Sequence, residues 1–275
     1  MTDDTRAWDH RVLQAALDRS STEGPGWGPV AWLPSTGSTN ADAADQVREG
    51  APEGFTVTAD EQTAGRGRLG RDWVSPTGAG LLMSVVLRPV APQRTWGWVP
   101  LLTGLAVVDA LRDAGVAASL AWPNDVMVDG PAWDGSAGPR KLGGLLAERI
   151  DDALVVGIGI NTDLRADELP VPRASSVALE GSEVRREALL VSVLDRLRAR
   201  YLRWQLADGD ADRAGLLDDY AARCLTVGSP VRATLPGDEV VEAVGDRIDP
   251  DGRLVLRLPD GRERAVAAGD VLLVR

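Results

Sequence analysis

From Thr226 onward the chain falls into short alternating segments separated by Pro236-Gly237, Asp251-Gly252 and Asp260-Gly261. Turn pairs at this spacing join strands that double back on their neighbours and leave no stretch long enough for a helix. Residues 226–275 therefore read as a small all-β barrel. Residues 1–225 follow another rule. Apolar or alternating runs at 30–33, 54–59, 80–87, 120–122, 126–128, 141–150 and 154–160 read as strands, the last two joined by a turn at Asp151-Asp152. Helical spacing appears at 8–19, 41–49, 98–111, 184–206 and 211–224. In the fourth of these, Leu190, Val193, Leu194, Leu197, Tyr201 and Trp204 form one stripe. The fold class is mixed α/β (α+β) over 1–225, followed by all-β. Thr39 with Asp42 resembles a capping box, so capping alone would account for Ser38 and Thr39. Segment 161–182 reads as an irregular connection, and 129–140, rich in glycine and proline, as mobile.

Composition narrows the chemistry. The only histidine is His10, near the N-terminus, so histidine-based nucleophile triads and histidine-rich metal sites find no residues to build on. The only cysteine, Cys224, rules out a disulfide framework and fits a reduced, cytoplasmic setting. A net charge of −11 argues against general nucleic-acid binding. The polar N-terminus carries no signal-peptide pattern, and no apolar run approaches the roughly 20 residues of a membrane helix. Lysine, arginine, carboxylates and backbone donors must carry the chemistry.

In this acidic chain, Gly65-Arg66-Gly67-Arg68-Leu69-Gly70-Arg71 alternates three arginines with three glycines. Glycine permits close backbone approach and arginine offers a planar fork of donors, so the loop suits an anion; a solvated basic turn would look the same. There is no phosphate-binding G-x-x-x-x-G-K-[ST] motif. Gly157-Ile158-Gly159-Ile160-Asn161-Thr162 lacks the third glycine of a dinucleotide fingerprint.

Gly37-Ser38-Thr39-Asn40, Gln62 with the arginine loop, Trp122-Pro123-Asn124-Asp125, Lys141-Leu142-Gly143-Gly144-Leu145-Leu146-Ala147-Glu148 and Gly157–Asn161 stand in order. Together they closely resemble the catalytic domain of biotin–protein ligases over about residues 30–165. The resemblance implies a largely antiparallel mixed sheet of the class II aminoacyl-tRNA synthetase type, followed by an SH3-like barrel. It also implies a two-step reaction. The biotin carboxylate attacks the α-phosphate of ATP to give biotinyl-adenylate, and a lysine of a biotin carboxyl carrier domain then takes the biotin. By resemblance, Ser38, Thr39, Asn40 and Gln62 hold the biotin head. Gly65, Arg66, Gly67 and Arg68 fold over biotin and the adenylate phosphate, and Gly144 gives close approach. Lys141 bridges carboxylate and phosphate, with Arg66 and Arg68 beside it in the chemistry. Arg71, Trp73, Asn124 and Asn161 serve ATP, although Trp73 would suit a core equally well. Asp125 either orients the acceptor lysine or helps to deprotonate it. Mg2+ rides on the phosphates with no protein cluster to fix it.

Only 37 residues precede Ser38, and they hold one short helix. A helix-turn-helix needs two, so the expected form lacks an N-terminal DNA-binding domain, contacts neither nucleic acid nor membrane, and is a monomer or weak homodimer. The segment 131–140, with Trp133, is either a lid or an idle insertion. Lipoate–protein ligase and a non-catalytic biotin-binding regulatory protein are the competing readings. The arginine loop and the barrel favour biotin over lipoate, and the intact Lys141 favours catalysis.

Overall fold

The computed structural model describes residues 8, 11–14, 28–235, 239–267 and 269–274. His10, the Gly24-Pro25-Gly26 break, most of the helix expected over 8–19 and the Pro236-Gly237 turn lie outside them. Seven strands form one mixed sheet in the order β1-β2-β3-β7-β6-β5-β4. They are β1 (Val30–Leu33), β2 (Thr56–Ala59), β3 (Gly80–Leu87), β4 (Ala118–Ala121), β5 (Asp125–Val128), β6 (Arg140–Ile150) and β7 (Ala153–Asn161). Only β1 and β2 pair parallel; every other pair is antiparallel, the largely antiparallel sheet expected.

β3 is buried along its whole length because both sheet faces are covered. Leu81, Met83, Val85 and Leu87 join the main core, while Val86 packs with Ala43, Ala44 and Val47 of helix α1 (Thr39–Arg48). The main core is filled by α2 (Trp98–Asp113), apolar nearly all round, and by the stripe of α3 (Arg186–Leu206), whose six residues named above are all buried. The last helix is shorter than 211–224. Gly215, at φ 67°, stands at the N-cap of α4 (Leu216–Ala221), and the residues ahead of it are turns.

The C-terminal strands β8 (Pro230–Leu235), β9 (Glu239–Ile248), β10 (Leu254–Arg257), β11 (Glu263–Val266) and β12 (Asp270–Leu273) form an antiparallel sheet in the order β11-β10-β9-β8-β12. Its Val231, Leu235, Leu254 and Leu256 belong to the same core as α2 and α3. Trp98 Nε1 donates to Pro250 O at 2.9 Å and Trp122 backbone N to Thr226 Oγ1 at 3.0 Å. Cys224 is buried and unpaired, a packing residue beside β4. No described helix is long and apolar enough to cross a membrane.

Candidate active site

On one face, the middle of the sheet carries glycine where neighbouring rows carry side chains. Residues opposite each other on neighbouring strands share a face, and the ladder aligns Ser84 with Gly157 and Gly157 with Leu146. The next row aligns Leu82, Gly159, Gly144 and Asp125. Three glycines in these two rows leave a low stretch of floor between the side chains of Ser84, Leu146, Leu82 and Asp125. A Cβ on Gly157 would run into Asn40 Oδ1, and one on Gly159 would lie 2.7 Å from Trp73 Cε2. These glycines admit the Asn40 amide and the Trp73 indole rather than a dinucleotide. Gly159→Ala is therefore expected to lift the indole from β7 and to cost about 1–3 kcal/mol, as overpacking does. A thermal melt checks this, and an unchanged melting temperature would mean that the indole moves aside freely.

Above this floor lies a cavity of about 470 Å³. Ser38, Thr39, Asn40, Gln62, Arg66, Gly67, Arg68, Arg71, Trp73, Asn124, Asp125, Lys141, Gly144 and Asn161 all line it, so the structure brings together every expected site residue but Gly65. Gly65 has a backbone duty: its carbonyl accepts Trp73 N at 2.9 Å, and a Cβ there would strike the Trp73 carbonyl.

Two hydrogen-bonded clusters line the cavity. In the first, Gln62 Oε1 accepts from Thr39 N at 2.8 Å and Thr39 Oγ1 at 3.0 Å. That fixes the amide and leaves Nε2 as the donor open to a ligand. Ser38 is the N-cap of α1, yet its side chain makes no cap bond, and Asp42 Oδ2 accepts from Thr36 Oγ1 at 2.5 Å instead. The capping-box expectation is corrected: the helix starts at Thr39, and Thr39's hydroxyl points to Gln62 rather than to its own helix. Asn40 is fully engaged, with Ser84 Oγ at 2.6 Å from its oxygen and Glu148 Oε2 accepting from its nitrogen at 2.6 Å. Glu148 also stands 3.6 Å from Arg66 Nη2.

The second cluster carries charge. Lys141 Nζ donates to Asp125 Oδ1 at 2.6 Å, both side chains about one-third exposed. A β-bulge accounts for this contact. The pairing passes from Val126–Gly143 to Met127–Lys141, skipping Leu142. Without that extra residue Lys141, three positions from Gly144, would point to the opposite face. Arg68 Nη1 donates to Asn124 Oδ1 at 3.2 Å and to the Gly269 carbonyl at 3.5 Å, and Asn124 Nδ2 donates to Leu145 O at 2.9 Å. Burial pulls the Arg68 pKa below arginine's ordinary value, with Asp125 and Asp270 opposing the shift. Arg71 pairs with Asp270 at 2.8 Å.

The arginine loop is a small hairpin. Arg66 bridges Asp72, Gly67 N donates to Arg71 O at 2.7 Å, and Leu69, at φ 57°, makes the tip. Trp73 lines the cavity, but its Nε1 is turned to the glycine floor, buried with no hydrogen-bond partner among the described residues. Trp73 thus stands in the cleft wall, seated on Gly159.

Sequence reasoning missed Ser84, Asp270, Val271 and the wall 170–174, and gave Glu148 no role within its motif. Only the Gly-x-Gly alternation within a strand signalled a close approach. Segment 129–140 is not the loose stretch expected: Trp133 Nε1 donates to Ala174 O at 3.0 Å, and Arg140 pairs with Glu180 at 2.8 Å. No three or more described histidine, cysteine or carboxylate residues lie together to hold a metal. Asp125 and Asp270, the cleft carboxylates nearest the charged cluster, each face a cation, so the residues present do not build a resident Mg2+ site.

Comparison with known proteins agrees with this arrangement. Residues 32–164 match the biotin/lipoate A/B protein ligase family, and residues 226–274 match the biotin protein ligase C-terminal domain. The chain is 36% identical over 281 aligned positions to the biotin–[acetyl-CoA-carboxylase] ligase of Mycobacterium tuberculosis, covering 100% of both proteins. It is 33% identical to the bifunctional ligase/repressor BirA of Bacillus subtilis, over 84% of this chain and 70% of that one. The biotin protein ligase from Aquifex aeolicus, solved with biotin and ATP, superposes with a TM-score of 0.72 at 28% identity, covering 90% of this chain and 98% of that one. With its glycine floor, arginine hairpin and bulge-mounted lysine, the chain belongs to the biotin protein ligase family.

Proposed function

We propose that the cleft joins biotin to ATP and hands the product to a carrier lysine, with the roles divided between the two clusters. ATP-dependent biotin ligation is the activity of this protein. Ser38, Thr39 and Gln62 bind the ureido head of biotin, with Gln62 Nε2 as donor to its carbonyl. Asn40 holds Glu148, and Glu148 steadies Arg66. Lys141 and Arg68 neutralise the carboxylate and the α-phosphate as they meet, since two anions must otherwise approach each other. The carboxylate oxygen bonds to the α-phosphorus, the bond to the bridging oxygen breaks, and pyrophosphate departs. Trp73, Arg71, Asn124 and Asn161 take the nucleotide. The carrier lysine amine then attacks the acyl carbon, loses a proton, and AMP leaves. Asp125 exchanges Lys141 for that incoming amine and orients it. Mg2+ travels with the phosphates, and no step is routed through it.

The observation that carries this reading is the convergence of a fixed amide donor and two cations on one cavity of about 470 Å³. The acceptor is the biotin carboxyl carrier domain of a biotin-dependent carboxylase, the setting cytoplasmic and the enzyme a monomer or weak homodimer. Residues 1–225 form the ligase unit, and 226–275 the C-terminal one. The test is exchange of labelled pyrophosphate into ATP: it should require biotin and fail with lipoate. Biotin binding without exchange would favour a regulatory binding protein, and tighter lipoate binding in a calorimetric titration would reverse the choice of substrate.

A further inference from the structure

The cleft wall 170–174 belongs to no strand or helix, yet Pro170, Val171, Arg173 and Ala174 face the cavity. An irregular wall needs its backbone groups satisfied from outside. Here three successive carbonyls are taken. Trp133 N donates to Pro172 O at 3.1 Å, Lys141 N to Arg173 O at 2.6 Å, and Trp133 Nε1 to Ala174 O at 3.0 Å. Two of the three donors come from one tryptophan in the insertion 131–140. The wall reaches back in turn, since Arg173 Nη2 donates to Ala137 O at 2.5 Å. Gly138, at φ 116°, makes room for that guanidinium, which a Cβ would strike.

The insertion is itself held in shape. Ala132 N donates to Ser136 O at 2.9 Å, the Arg140 guanidinium lies 4.7 Å from the centre of the Trp133 ring, and Arg140 is bound to Glu180 through two bonds of 2.8 Å. Glu180 Oε1 also accepts from Ser175 Oγ at 2.6 Å. From the wall the connections run to the nucleotide side. Ser175 N donates to Lys141 O at 2.8 Å, and Asn161 Nδ2 donates to Ser175 O at 3.0 Å.

We infer that the 131–140 insertion is a brace that holds the nucleotide side of the cleft in its working shape before any ligand arrives, and that Trp133 is its positioning residue. This rests on the assignment of Asn161 to the nucleotide and of Lys141 to the carboxylate and α-phosphate made above. Trp133 touches no substrate; it acts through the carbonyls of Pro172 and Ala174. The insertion is neither an idle surface loop nor a free lid.

Two variants and two readouts test the brace. Trp133→Phe keeps the ring beside Arg140 and removes the indole N–H; Trp133→Ala removes both. The loss of one or two hydrogen bonds should raise the KM for ATP by about three- to tenfold in pyrophosphate exchange, the phenylalanine variant less than the alanine. The kcat and the biotin Kd from titration should stay within about twofold, because the contact is made equally in ground and transition states. Amide hydrogen exchange at 173–175, followed without ligand, should quicken in the same order. Unchanged hydrogen exchange at 173–175 together with an unchanged KM would overturn the brace, as would a biotin Kd that moves as far as the KM for ATP. Absence of biotin-dependent exchange in the wild-type protein would sink the assigned reaction instead, and the hydrogen-exchange arm would still decide the brace.

Discussion

Lys141→Ala is expected to slow biotin-dependent pyrophosphate exchange by about a hundredfold or more, the scale on which one preorganised charge donor counts. The fold should survive, because the lysine stands partly exposed over the cleft and the bulge that aims it is made by backbone. The change also has a second edge. Asp125, 2.6 Å from the ammonium, loses its partner and is left as a bare carboxylate where the phosphates must pass. Part of the loss should therefore be repulsion, and the double variant Lys141→Ala/Asp125→Ala should recover some activity relative to the single one. Circular dichroism and a melting curve establish the fold, and exchange gives the rate. Wild-type exchange in a folded Lys141→Ala protein would remove the lysine from the mechanism. A double variant as slow as the single would mean that Asp125 does not repel the phosphates.

Arg68→Gly is expected to produce an enzyme that still makes biotinyl-adenylate but releases it. Biotinyl-adenylate is a mixed anhydride, open to water and to any amine, so the cleft must hold it until the carrier lysine arrives. The Arg68 guanidinium ties the tip of the hairpin to Asn124 and to the Gly269 carbonyl of the C-terminal sheet. Glycine deletes both contacts and loosens the loop. Losing one charge-assisted bond costs roughly 1.5–3 kcal/mol, or about ten- to a hundredfold in retention. Serum albumin incubated with the variant, ATP and biotin should then acquire biotin on its lysines, as a streptavidin blot would show. If the variant consumes ATP yet labels albumin no more than the wild type does, retention depends on other contacts.

The fold was legible where a local rule decided it. The apolar run 80–87 became a strand buried on both faces, and the stripe from Leu190 to Trp204 became the packed face of a long helix. The convergence of the motif residues on one cavity was legible too. Their partnerships were not. That Thr39 answers Gln62 rather than its own helix depends on a contact 23 positions away, and capping propensity cannot register it. That Lys141 faces inward depends on one extra residue in a ladder, which an alternation pattern does not reveal. Arg71 finds Asp270 across some two hundred positions, in a sheet that reads from sequence as a separate unit. Segment 129–140 looks loose from its glycines and prolines because composition records backbone freedom, not the Trp133 bonds that remove it.

The glycine floor binds together the histories of distant positions. Gly157 has no room for a side chain while asparagine occupies position 40, and Gly159 has none while tryptophan occupies position 73. Neither glycine can gain a side chain while its partner keeps its own, whereas position 40 or 73 can shrink without a clash. In descent from a common ancestor, a replacement of either glycine should therefore follow the loss of the larger side chain opposite it. A lineage that has lost the indole at 73 is the one in which residue 159 is free to vary.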